Sequence, residues 1–235
     1  MRRELPKRFY KHADYAHSGG GFTVRLDGKA ARTPGRATLT VPDEPLAAAI
    51  VAEWNAQREE IAPATMPLTR IANAAIDGVS TRMAAVRSDI VAYAGSDLLC
   101  YRAASPAALV RRQDAAWTPL VAWAAEELGA RLVVVEGITH VAQPPASLAA
   151  VERALTACDA FRLAALHTIT TVTGSAIVAL AVARGRLTAA EAWTAAGVDE
   201  DWQAEQWGED AEAAARRAAR RRELEAAAFI LECAR

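Results

Sequence analysis

The sequence predicts an α+β protein, with a small β-rich N-terminal part over residues 1–60 and a larger, mostly α-helical part over residues 61–235. Three observations carry this. Between Phe22 and Val41, short segments of strand character are separated by Asp27-Gly28 and Pro34-Gly35, dipeptides that make tight turns. Beyond Asp43 the apolar residues recur at three- and four-residue spacing, bracketed by helix start and stop residues. The composition is rich in Ala with abundant Arg and Glu, and Gly contributes only 13 of 235 residues, which favours helix.

In chain order, residues 1–20 are basic and polar, forming either an exposed arm or a first strand. Gly19-Gly20-Gly21 reads as a flexible turn before a strand at Phe22–Leu26. Asp27-Gly28 turns it back through Lys29–Thr33, and Ala37–Val41 completes an antiparallel meander. Asp43 is placed to cap a helix with Pro45 in its first turn and Leu46, Ile50 and Trp54 along one buried stripe. A helix from Met66 ends at Gly78. Ser80 is placed to cap the next, which stops at Gly95, and Ser96–Tyr101 reads as extended.

Ser105-Pro106 opens a helix to Gly129 that Pro119 is expected to kink or split. Arg131–Val135 is β-branched, and with Gly137 it suggests a hairpin near 131–142, in the first sheet or in one of its own. Ser147 and Asp159 are placed as caps, the second for one long apolar helix from Ala160 to Ala183. Thr188-Ala-Ala-Glu191 is a capping box, and Gly197 ends its helix. Asp199 then caps the last helix, whose face from Asp210 onward is laced with Glu and Arg.

A formal net charge of −1 argues against a general nucleic-acid or membrane-surface binder. The three cysteines, Cys100, Cys158 and Cys233, are odd in number and far apart, as expected of reduced thiols in a cytoplasm-like compartment. Met1-Arg2-Arg3 is not followed by an apolar run, so no secretory signal is expected. The segment Thr168–Ala183 is too short and polar for a membrane span.

The chemistry-bearing residues form no familiar constellation. The four histidines are scattered without metal-ligand spacing, so no metal and no cofactor is expected. His167 reads as a hydrogen-bonded core histidine, and Gly174-Ser175 as small residues that permit close helix packing. The Arg216–Arg222 run is interleaved with Glu, which fits a salt-bridged helix face better than a nucleic-acid site. Asp199, Asp201, Glu205, Glu209 and Asp210 suit the paired acids of a glycosidase or a divalent-metal site, and more simply a helix N-terminus favoured by its dipole. Trp202 and Trp207 sit among those acids. Two tryptophans in a polar ring suit a protein interface, and equally a helix with aromatic residues turned into the core.

Several stretches together resemble a known family. They are Arg8-Phe9-Tyr10-Lys11, Gly20-Gly21-Phe22 with Leu26-Asp27-Gly28, Arg32-Thr33-Pro34, Ala52-Glu53-Trp54 and Thr65-Met66-Pro67-Leu68-Thr69. Asp97-Leu98-Leu99-Cys100-Tyr101-Arg102, Trp117-Thr118-Pro119 and Trp202-Gln203 with Gln206-Trp207-Gly208 follow in order. The sequence is similar to the ATP-twelve family of ATP synthase assembly chaperones, in its alphaproteobacterial form. The resemblance implies a non-enzymatic protein that binds the free alpha subunit of the soluble catalytic sector. It would shield the surface destined for the beta subunit, without hydrolysing ATP. It implies a cytoplasmic location here, with the mitochondrial matrix for eukaryotic relatives. On this likeness the partner-binding residues are expected to be Trp202, Glu205, Trp207, Gly208, Glu209 and Glu212, with Glu53 and Trp54 as secondary candidates. The sequence departs from mitochondrial members after the Trp-Gly pair, where Ala211-Glu212-Ala213-Ala214-Ala215 replaces aromatic or His residues.

Overall fold

The computed structural model describes residues 5–234, so Arg2 and Arg3 of the basic N-terminal stretch lie outside the described residues. The stretch before the glycines, open between an arm and a strand, supplies the first strand at residues 13–18. Strands β1 (Ala13–Ser18) and β2 (Gly21–Leu26) pair antiparallel from Ala13↔Leu26 to Ser18↔Gly21. Gly21 has φ 145° and lies against the Val41 carbonyl, where no side chain fits. Asp27 and Gly28, both at positive φ, turn β2 into β3 (Lys29–Ala30). The fourth strand, β4 (Thr40–Val41), pairs with β2 at Phe22↔Val41 and Thr23↔Thr40. The order is therefore not the expected simple meander, because β2 is central and pairs with β1, β3 and β4.

Helix α1 (Glu44–Asn55) covers this sheet with Leu46 and Ile50 fully buried. Asp43 occupies its N-cap position but makes no side-chain cap bond, so Pro45 and backbone geometry start the helix. The Pro34-Gly35 turn is fastened to α2 (Pro67–Asp77) by the Asp77 carboxylate, which accepts from Thr33 Oγ1 at 2.6 Å and from the Gly35 N–H at 2.7 Å.

The remaining elements are helical apart from one short pair. Ser80 does not cap α3 (Met83–Ala94). It lies in a 3-10 turn and donates to the Ile76 carbonyl, while Arg82 occupies the cap position. Residues 98–100 form a 3-10 turn rather than extended chain, capped by Asp97. Strand β5 (Tyr101–Arg102) follows it. Helix α4 (Ala107–Trp123) runs through Pro119 without splitting and ends in a π-helical turn at Ala124–Leu128, stopped by Gly129 at φ 75°. Pro106 rather than Ser105 occupies its cap position.

The expected hairpin near 131–142 does not form. Only β6 (Val135–Glu136) is a strand, and it pairs in parallel with β5. The amide of Gln143 explains this: it accepts from the Val133 N–H and donates to the Val133 carbonyl, so the returning chain is tied by a side chain instead of a ladder. Ser147 lies inside α5 (Pro145–Leu155) and donates to the Arg131 carbonyl instead of capping.

The expected long apolar helix is two. Helix α6 (Ala160–Thr173) is capped by Asp159, whose Oδ1 accepts from the Arg162 N–H at 2.8 Å. Gly174 at φ 73° stops it, and Ser175 caps α7 (Ala176–Ala183) by accepting from Val178 N–H at 3.0 Å. Residues 176–182 are all buried, consistent with a helix that is apolar on every side. Helix α6 packs against α2, α3 and α7, and against the C-terminal helix, so the core of the helical part is built around it. Helix α8 (Ala189–Ala196) has the full Thr188/Glu191 capping box. The last helix is again two, α9 (Val198–Trp207) and α10 (Ala211–Cys233). Asp199 lies inside α9 and does not cap it; its carboxylate accepts from Gln113 Nε2 at 2.7 Å. Ile230 and Leu231 of the terminal apolar patch are buried. All three cysteines are free.

Candidate functional site

The corner between α9 and α10 is made by Gly208 and Asp210. Gly208 takes φ 79°, ψ 169°, a conformation open to glycine and closed to ordinary side chains. Asp210 then starts α10 by accepting from the Ala213 N–H at 2.8 Å. The corner leaves Trp207, the last residue of α9, 88% exposed. Beside it opens a cavity of about 500 Å³ lined by Trp207, Gly208, Glu209, Arg216, Arg217 and Arg220, among others.

The two tryptophans have different fates. Trp202 is half-buried under α4, with the Arg112 guanidinium 4.9 Å above its ring. Arg112 is also held bidentate by Glu205, with N–O distances of 2.8 and 2.7 Å. That contact holds the Glu205 carboxyl below its ordinary range and raises the Arg112 guanidinium. Trp202 and Glu205 thus brace α9 against α4 and do not line the cavity, whereas Trp207, Gly208 and Glu209 do. Glu212 sits in the first turn of α10 and pairs with Arg216.

The acids of this segment do not converge. Glu200 pairs with Arg220 at 2.6 Å, Asp201 pairs with Arg217, Asp199 holds Gln113 and Asp210 caps a helix. An acid-based hydrolase of this kind uses two carboxylates facing one substrate with their pKa values pushed apart. Here the acids other than Glu209 are engaged by Gln113, Arg112, Arg216, Arg217, Arg220 and the first turn of α10 along an open face, and they do not form the paired acids expected of residues 199–212. Arg216, Arg217, Arg220 and Arg221 of the basic run are paired with acids in the same way, and Arg217 and Arg220 also lie 5.6 and 6.0 Å from the Trp193 ring. Glu209 has no hydrogen bond or ion pair among the described residues.

Glu53 and Trp54 lie elsewhere, on α1. Glu53 Oε1 accepts from the Leu68 N–H at 2.8 Å, and its Oε2 accepts from the Thr69 N–H and hydroxyl at 2.8 and 2.7 Å. It caps α2 from another helix. Burial pushes its carboxyl up, against those hydrogen bonds. Glu53→Ala is expected to lower stability by about 1–2 kcal/mol by freeing the first N–H groups of α2. Urea unfolding followed by circular dichroism measures this, and an unchanged midpoint would assign Glu53 no structural role. Trp54 is half-buried beside Tyr10, whose hydroxyl donates to the Trp54 carbonyl at 2.6 Å.

His167 is not a core histidine. It is half-buried and borders a cavity of about 660 Å³ with Asn73, Asp77, Arg82 and Asp89. Among the described residues no group of three His, Cys, Asp or Glu could hold a metal ion. No helix among them is long and apolar enough to cross a membrane. Sequence reasoning missed Arg112 as the partner of Trp202 and Glu205. They are some ninety residues apart in the chain, and no local pattern links them.

Residues 7–125 match the family model described as ATP12 chaperone protein. The chain belongs to the ATP12 chaperone family. Solved structures extend the likeness beyond the matched segment. Atp12 from Paracoccus denitrificans superposes with a TM-score of 0.89 at 42% identity, over 98% of this chain and 99% of that one. An aspartate-to-lysine variant of the same protein gives 0.88 at 42% identity, over 98% of each chain. A candidate chaperone from Agrobacterium tumefaciens gives 0.93 at 50% identity, over 98% of this chain and 87% of that one. In this ATP12-family chain the α9–α10 corner lies outside the segment matched by the family model.

Proposed function

We propose that this ATP12-family chaperone binds the free alpha subunit of the soluble catalytic sector of ATP synthase, in the bacterial cytoplasm. It covers the surface that later meets the beta subunit, and the α9–α10 corner is its contact. Family membership supports the assembly role. The single observation that supports the contact is Trp207, 88% exposed at a glycine-made corner above a groove of paired charges. An unassembled subunit exposes an apolar surface that invites aggregation. A cover must bind that surface and still be displaced. One aromatic anchor in a charged rim fits both needs, because the anchor supplies most of the affinity and the rim charges gain little when desolvated.

Light scattering by purified alpha subunit, without nucleotide, tests this. The wild-type chain is expected to suppress aggregation. Trp207→Ala is expected to weaken binding by about 2 kcal/mol, roughly thirtyfold, with an unchanged circular dichroism spectrum because the side chain is exposed. Glu212→Lys, which sets a cation beside Arg216, is expected to weaken it further. No suppression by the wild type would overturn the assignment of partner. Suppression undiminished in Trp207→Ala would overturn the placement of the contact.

A further inference from the structure

A second surface carries its own case, independent of the α9–α10 face. A groove of about 410 Å³ runs between the N-terminal segment, the β2–β3 turn and α1. Its apolar walls are Phe9, Leu26, Ala30 and Trp54, and Lys29 and Arg32 stand beside them. Phe9 is 73% exposed although it packs edge-on against Tyr10 at 5.5 Å. Trp54 keeps its indole Nε1 out of water without an acceptor, an unsatisfied buried donor that calls for an explanation.

The lining of this groove carries two cations, Lys29 and Arg32, and one acid. Neither Lys29 nor Arg32 forms an ion pair among the described residues, in contrast to the arginines beside Trp207. Arg8, at the base of the segment, is spent on the carbonyls of Tyr10, Lys11 and Gln57 and meets no carboxylate among the described residues. The one acid in the lining, Asp27, is held by the backbone N–H groups of Lys11 and His12. One wall, β3, is the last strand on its side of the sheet, so an extended chain can lie along it.

We propose that this groove binds an extended polypeptide segment carrying one large apolar side chain flanked by carboxylates. The apolar side chain packs between Phe9 and Trp54, and the carboxylates face Lys29 and Arg32. Unpaired cations beside an apolar slot favour such a segment over a purely apolar one, by charge complementarity.

The test is a titration of ¹⁵N-labelled full-length protein with the capped hexapeptide Asp-Glu-Leu-Phe-Glu-Asp, read by amide and indole resonances. The Trp54 indole signal and the amides of Phe9 and Lys29 to Arg32 are expected to move. Binding is expected to weaken about tenfold in Phe9→Ala, in Lys29→Glu/Arg32→Glu, and with a peptide whose Leu-Phe is replaced by Ala-Ala. All the substituted side chains are exposed, so the variants keep the fold. Trp207→Ala is expected to bind the peptide as the wild type does, which separates this site from the α9–α10 contact. No movement at Trp54 and Phe9 at roughly millimolar peptide would overturn the proposal. Equal binding of the Ala-Ala peptide, or of an oligothymidylate, would also overturn it by showing attraction to any polyanion.

Discussion

Trp117→Ala is expected to lower the stability of the protein by about 3–5 kcal/mol, the range for truncating a large buried aromatic. Trp117 is fully buried on α4, its Nε1 donates to the Ala195 carbonyl at 2.6 Å, and the Arg102 guanidinium lies 5.2 Å from its ring. Truncation opens a cavity and orphans a carbonyl in the last turn of α8, so the packing and hydrogen-bond losses add. Trp117→Phe keeps most of the volume and loses the bond, so its expected cost is smaller, about 1–2 kcal/mol. Urea unfolding measures both, and a loss below about 1 kcal/mol in the alanine variant would mean the site collapses around the gap. The position matters for function because Ala195 lies just before the α8–α9 turn. The Trp117 bond joins α4 to α8, beside the α9 helix that Gln113–Asp199 and Arg112–Glu205 brace. Folded but loosened variants are therefore expected to present Trp207 less well.

Asp97 is the second position of large expected effect. It is fully buried, and its two oxygens accept from the Leu99 and Ile177 N–H groups, both at 3.1 Å. One carboxylate therefore joins the turn before β5 to the start of α7. Asp97→Ala leaves both donors in the core without acceptors, at about 1–3 kcal/mol each. Burial pushes the carboxyl up to about 6, outweighing the hydrogen bonds from Ser175 and the backbone. Because the folded-state value lies above the unfolded one, the folded protein holds this proton more tightly. Its contribution to stability is full below about pH 4 and is lost as pH rises through about 6. The stability difference between wild type and Asp97→Asn should therefore shift against the wild type from pH 4.5 to 7.5, by about 2 kcal/mol. The comparison cancels the other carboxylates, which titrate in both proteins. A difference independent of pH would mean that Asp97 titrates as it does in the unfolded chain.

Several local signals were legible because their partners lie within one turn of chain. Asp27-Gly28, the Asp159 cap and the Thr188/Glu191 box stand where the sequence placed them, because each needs only backbone groups two to four residues away. The break at Gly174-Ser175 carried both of its signals, a left-handed stop followed by a cap. The surrounding apolar run hid them, since α6 and α7 are both deeply buried and periodicity does not change across the joint. The same happened at Gly208-Asp210, where a glycine stop and an aspartate cap divide what read as one charged helix.

The sequence by itself determined the α+β class, the N-terminal hairpin, most helix starts and stops, and the family likeness, because all of these are written in neighbouring residues. Tertiary structure decided the rest. It paired Val135–Glu136 with Tyr101–Arg102 across some thirty residues, turned Glu53 into a cap for a different helix, and gave Arg112 to Trp202. It also chose between two tryptophans five residues apart, covering one with α4 and leaving the other 88% exposed. Propensity and spacing are the same on both sides of that choice. Burial depends on which other element arrives to cover a side chain, and that is set by the packing of the whole chain.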